Sequence, residues 1–135
     1  MPGADSVQRR ELSRGRVVIV PRPDAAALEE RVGKLKAFLE RDPSDAMAWY
    51  GLGSALVNLE RPGEAVDAFR RALAHKPDYT AAQRELGRSL LAAGDAAGAV
   101  EALRAGVVLA ERTGDLQTGR EMAVFLKRAE RAAGG

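Results

Sequence analysis

The sequence of 135 residues contains no cysteine and a single histidine, His75. Without cysteine there is no disulfide, no thiolate nucleophile and no cysteine-bound metal. With one histidine, a multi-histidine metal site is excluded as well. Aromatic residues make up only 4% of the chain. Beside abundant alanine, that scarcity favours closely packed helices over a sheet. No stretch approaches the ~18 consecutive apolar residues of a membrane-spanning helix. The run Val17-Val18-Ile19-Val20, bounded by Arg16 and Pro21, is also shorter than a signal-peptide core of about 7–15 residues. The expectation is a soluble, cytoplasmic chain that makes no use of a membrane. Its size suits one domain that folds without metal or crosslink.

Charge is unevenly placed. The net charge is +2. The first 24 residues hold five arginines (Arg9, Arg10, Arg14, Arg16, Arg22) against Asp5, Glu11 and Asp24, while the rest carries 16 basic and 16 acidic groups. Five arginines would attract phosphate in a salt-dependent way. They alternate with acids, glycine and serine, so nucleic acid is not the expected partner. Residues 1–15 are polar and aperiodic, and residues 1–24 are read as a disordered or loosely attached basic tail. Residues 16–20 have strand composition, but a strand is not stable alone. It either lies loosely on the domain, pairs with another chain or packs into a groove.

From Asp24 onward the pattern is helical. Leu28, Val32, Leu35 and Leu39 recur at spacings of 4, 3 and 4 and mark one helix face. Pro43 stops this helix. A second spans about 45–59, with Trp49, Leu52, Leu56 and Leu59 inward. A third runs 62–75 from Pro62, with Ala65, Phe69, Ala72 and Leu73 inward. A fourth runs about 79–93, a fifth 96–112 and a sixth 116–132. Gly94-Asp95 and Gly114-Asp115 read as a C-terminal glycine followed by an N-cap aspartate. Such short links make successive helices antiparallel.

Residues 46–79 and 80–113 align without a gap at a period of 34, with eight identical pairs. They are Ala48/Ala82, Leu52/Leu86, Gly53/Gly87, Leu56/Leu90, Ala65/Ala99, Val66/Val100, Ala68/Ala102 and Arg70/Arg104. Small residues stand where the helices of a hairpin approach, and Leu52, Phe69, Leu86 and Leu103 fill between hairpins. One hairpin cannot bury both faces, so stacking is required. The positions Trp49, Leu52, Gly53, Leu56, Ala65, Phe69, Ala72 and Pro77 resemble the signature of the tetratricopeptide repeat family. Leu56 stands where that family more often has tyrosine. The second copy is looser, with Gln83, Leu103, Gly106 and Glu111 at four signature places. The resemblance implies an all-α, right-handed stack of antiparallel helix hairpins with about six helices. Its parts are a half repeat at 25–45, full repeats at 46–79 and 80–113, and a capping helix at 115–132.

The family resemblance further implies a concave face built from the first helix of each repeat, where peptides or partner helices bind. The matching residues are Met47, Tyr50, Ser54 and Asn58, then Ala81, Arg84, Arg88 and Leu91. The last helix would add Thr118, Met122 and Phe125. Arg84 and Arg88 are four apart and share a helix face. Two arginines can grip carboxylates, so a peptide with an acidic group is the expected ligand. The alternative is a solvated face with Arg88 paired to Glu85. Some family members hold a terminal carboxylate with lysine and asparagine, but here Tyr50 and Ser54 occupy the corresponding places. Phe125 reads as core at the edge of the Met122-Leu126-Ala129 stripe, with partner contact as the alternative.

No catalytic grouping emerges. His75, near a helix C-terminus, has no nucleophile at a matching spacing. Asp95 and Asp115 read as caps. The paired glycines lack the strand and GK[ST] ending of a phosphate loop. Trp49 sits at repeat spacing and reads as core. The expected function is a non-enzymatic interaction module or scaffold, with no cofactor and a protein or peptide partner. The alternative is a self-assembling subunit, a homo-oligomer joined through the N-terminal segment or the first helix, where Phe38 widens the apolar surface.

Overall fold

The computed structural model describes residues 7–11, 17–21 and 24–134. Strands β1 (Val7–Glu11) and β2 (Val17–Pro21) form an antiparallel hairpin, with Arg9 opposite Ile19. The strand read from residues 16–20 therefore has a partner within its own chain. The unstructured reading of residues 1–15 is corrected across Val7–Glu11, where backbone pairing supplies the order that side-chain periodicity did not announce. The rest of the 1–24 tail reading concerns residues 1–6, 12–16 and 22–23, which lie outside the described residues.

Six helices follow among the described residues: α1 (Ala25–Arg41), α2 (Ala46–Asn58), α3 (Pro62–His75), α4 (Thr80–Ala92), α5 (Ala96–Thr113) and α6 (Leu116–Gly134). The expected boundaries hold to within a residue or two. Aspartates start most of them by satisfying free N–H groups. Asp24 accepts from Ala26 N–H at 3.0 Å, Asp45 from Ala48 N–H at 3.0 Å and Asp95 from Gly98 N–H at 2.8 Å. Gly114 ends α5 at φ 77°, the left-handed conformation glycine tolerates. The first repeat makes its tight turn with Glu60 at φ 58°, where the second repeat has Gly94 at φ 89°.

Each helix packs on the next in sequence, and α6 also touches α4. The core is one column of large side chains. Phe69, Leu56, Leu103 and Met122 are its largest fully enclosed members. Gly53 faces the Phe69 ring, Gly87 faces Leu103, and Gly106 faces the Met122 sulfur. Within each repeat, a glycine on the first helix thus admits a bulky residue from the second. Trp49 is half-buried against this core, donates its indole N–H to Pro43 O at 2.7 Å and carries Arg71 over its ring at 5.0 Å.

At the first helix the apolar stripe is only partly covered. Val32 and Leu39 are buried, while Leu28 and Leu35 are half-buried and Phe38 is 46% exposed. Leu28, Arg31, Leu35 and Phe38 line an open groove of about 720 Å³. Arg61 fastens α1 to the turn before α3 by bonding Glu29 at 3.1 Å and Glu64 at 2.8 Å. Among the described residues no helix is long and apolar enough to cross a membrane.

Two glycine substitutions should act with opposite sign. A Cβ at Gly53 would lie 2.6 Å from the enclosed Phe69 ring, so Gly53→Ala should cost about 1–3 kcal/mol. Gly33, inside α1, has nothing within 4 Å of such a Cβ. Gly33→Ala should therefore stabilise by up to about 1 kcal/mol through helix propensity. Urea unfolding of both variants measures the pair; a neutral Gly53→Ala would refute the close approach.

Candidate functional site

Helices α2, α4 and α6 supply the walls expected of a groove, and their side chains divide into three groups. The first group is tied into the core. Tyr50 stacks on Tyr79 with ring centres 5.1 Å apart and meets Phe69 at 5.6 Å. Lys76 lies over Tyr79 at 4.7 Å. Burial, and then the neighbouring Tyr50, push the Tyr79 phenol above its ordinary pKa. Leu91 is half-buried against the core. Met122 is fully buried and Thr118 is 7% exposed. These last two correct the expected α6 wall. Met122 fills the space over Gly106 of α5.

The reason for the correction lies in the helix start. One period after Thr80, the first residue of α4, falls on Gly114, but α6 begins at Leu116 because α5 runs on to Thr113. Adjacent helix residues diverge by about 100°, so the places of Arg84 and Arg88 copied across the period fall on the buried Thr118 and Met122. Glu121 and Phe125 reach Arg84 and Arg88 of α4, and Arg128 lies over the Phe125 ring of its own helix. Sequence reasoning missed Glu121 and Arg128. The usable signal was Asp115 as N-cap, which restarts the count. Asp115 accepts from Thr118 N–H at 3.3 Å and from the Thr80 hydroxyl at 2.6 Å, tying the start of α6 to the start of α4. Those hydrogen bonds hold its carboxyl below the usual carboxylate range.

The second group is a charged cluster. Arg84 donates Nε to Glu85 at 2.9 Å and NH1 to Glu121 at 2.9 Å. Burial weighs against its charge, but the bonds from Glu85 and Glu121 outweigh this and hold the guanidinium more firmly protonated. Arg84 therefore has two carboxylate neighbours within the chain, a closer engagement than the expected joint grip with Arg88 assumed. Arg88 is half-exposed, reaches Glu85 at only 3.4 Å and lies over the Phe125 ring at 4.9 Å. Phe125 is half-buried against the core and also carries Arg128 at 5.3 Å. Its inward packing agrees with the core reading, and the cations over its ring belong to this chain rather than to a partner.

The third group is open. A groove of about 380 Å³ runs between Val57, Glu60 and Pro62 on one side and Glu85, Arg88, Ser89 and Ala92 on the other. Its α2 wall is Val57, beside the exposed Asn58. The Ser89 hydroxyl is buried without a hydrogen-bond partner among the described residues. Met47 is 73% exposed in the first turn of α2, while Ser54 and Ala81 are half-buried. Among the described residues no group of three acids or histidines could hold a metal ion.

Comparison with known proteins adds identity to this geometry. The profile of the tetratricopeptide repeat family matches residues 32–79 and 52–115. A TPR repeat-containing protein of Pseudomonas aeruginosa is 34% identical over 98 residues, which is 73% of this chain and 93% of the relative. A protein of Bordetella parapertussis known from its solution structure is 33% identical, with a TM-score of 0.65 over 74% of this chain and 87% of its own. The TPR2B domain of yeast Sti1, solved in its complex with pHsp70, shares the fold. Its TM-score is 0.72 at 21% identity, over 78% of this chain and 85% of that domain.

The two arginines of α4 should differ in their effect on stability. Arg84→Ala strips the partner from Glu85, which is 13% exposed, and from Glu121. The expected loss is about 1–2 kcal/mol, between the values for exposed and buried pairs. Arg88→Ala should cost less than about 0.5 kcal/mol. Urea midpoints of the two variants decide it, and equal losses would contradict the division of labour.

Proposed function

The chain belongs to the tetratricopeptide repeat family, and from that premise we propose that it is a non-enzymatic interaction module or scaffold. Its ligand is a peptide segment or partner protein lying in the groove between α2, α4 and α6. The observation that carries this reading is the open groove of about 380 Å³ beside Val57, Pro62, Arg88 and Ala92. Apolar Val57, Pro62 and Ala92 beside a few polar and charged groups suit a side chain of a partner. The similar Sti1 domain, caught in a complex with pHsp70, supports the same use of the fold.

Photo-crosslinking tests this reading. Benzoylphenylalanine replaces Val57 in the groove or Val108, which is 62% exposed on α5. In native lysate, adducts should form from position 57 and not from position 108. Adducts from position 108 alone, or equally from both, would overturn the groove.

A second reading, assembly through α1, is favoured by the exposed Phe38 in its open groove of about 720 Å³. It expects the mass from light scattering to rise toward a dimer with concentration, and Phe38→Asp to abolish that rise. A constant monomer mass would remove it.

A further inference from the structure

Among the described residues the stack opens and closes on half a repeat. In each full repeat a glycine of the first helix admits a bulky residue of the second: Gly53 admits Phe69, and Gly87 admits Leu103. One period before Phe69 stands Leu35 on α1. Helix α1 thus has the pattern of a second helix. At the other end, Ala123 is the eighth residue of α6, as Gly53 is of α2 and Gly87 of α4. Helix α6 thus has the pattern of a first helix. Burial shows what each half lacks. Phe69 and Leu103 are fully enclosed, while Leu35 is half-buried. Leu56 and Leu90, the eleventh residues of α2 and α4, are buried, while Leu126, the eleventh of α6, is half-buried.

We propose that α6 of one copy packs on α1 of the next and completes a repeat between them, so that copies join head to tail. The assignment rests on the second reading above, assembly through α1, and names the surface that α1 takes. The two faces differ in size in the sense a repeat needs. Leu35 and Phe38 make the α1 face bulky, and two such faces would set bulk against bulk. Ala123 offers α1 the small residue that its own kind cannot. Charge permits the meeting. The open groove on α1 carries Asp24, Glu30, Arg31 and Lys34. An open groove of about 460 Å³ on α6 carries Lys127, Glu130 and Arg131. Both faces mix signs, so neither repels the other as a whole. The joint is looser than those within the chain. Alanine replaces glycine in α6, and Arg31 and Phe38 stand one period before Ala65 and Ala72. Association is therefore reversible and follows concentration. Because the joint uses two different faces, each dimer keeps one of each free, and growth does not close at two copies.

Two blocked variants of the full chain are the test, with mass read by light scattering. Phe38→Asp blocks the α1 face and Ala123→Arg blocks the α6 face. The intact chain should pass the mass of a dimer as concentration rises. Each variant alone should stay a monomer, and their equal mixture should reach a dimer and stop there. A mixture that stays monomeric overturns the head-to-tail joint. So does association that Phe38→Asp abolishes and Ala123→Arg leaves unchanged, an outcome that spares assembly through α1. A constant monomer of the intact chain, or association that survives Phe38→Asp, overturns both. The absence of cysteine gives a second measurement that does not depend on the fold of Ala123→Arg. Under mild oxidation, a copy with Leu35→Cys should form a disulfide with a copy carrying Ala123→Cys, since the bond needs Cα atoms within about 7 Å. Leu35→Cys copies that crosslink mainly to one another overturn the proposal and point to two α1 faces in contact.

Discussion

Phe69 reaches the backbone of α2 because residue 53 has no Cβ, and a methyl group there would stand 2.6 Å from its ring. The same bargain recurs one repeat later, where Leu103 presses on Gly87. It recurs a third time at the joint of α5 and α6, where Met122 covers Gly106. Dispersion and burial reward such close contact only if the surfaces interlock. Each layer therefore sets the position of the next, and the groove between first helices inherits its width from contacts on its far side. The helix caps and tight turns matter for the same reason. They fix where each helix starts, and hence which residue meets which.

The charged residues add direction to this apolar scaffold. Arg84 and Arg88 are four residues apart on one helix, yet they meet different fates. Arg84 sits low enough to satisfy two carboxylates from α4 and α6, and it acts as a strut across the groove floor. Arg88 sits one turn later, where the wall is aromatic, half-exposed and with only a longer contact to Glu85. A buried charge must be paired, whereas an exposed one need not be.

Much of this architecture was legible in the residues. The 34-residue period, the proline and Gly-Asp punctuation, and the apolar spacing fixed the helix count and most boundaries. Gly53 was readable as a close approach of two helices, but Phe69, read as filling between hairpins, presses on Gly53 within its own hairpin. What the period could not convey was the last wall. Without a proline at Glu111, α5 runs on to Thr113, and the restart at Asp115 rotates α6. Met122 and Thr118 then turn inward, and Glu121 and Arg128 take the exposed places. Tyr50 was readable as a groove residue by position alone. Its engagement with Tyr79 and Phe69 depends on a loop conformation that no spacing encodes. The β1–β2 hairpin escaped because one strand is rich in arginine and lacks an apolar alternation.

The sequence has one tryptophan, and its place gives the protein a built-in optical probe. Trp49 bonds to Pro43, in the link between α1 and α2, and lies under Arg71 of α3. Its emission therefore reports how the first three helices are joined. Phe125, Arg88 and Arg128 belong to α4 and α6, and a benzene ring contributes little light beside an indole. Occupation of that end leaves the indole's own contacts in place. Melting of the stack can thus be followed in an unlabelled molecule by one indole that reads the joint of α1, α2 and α3.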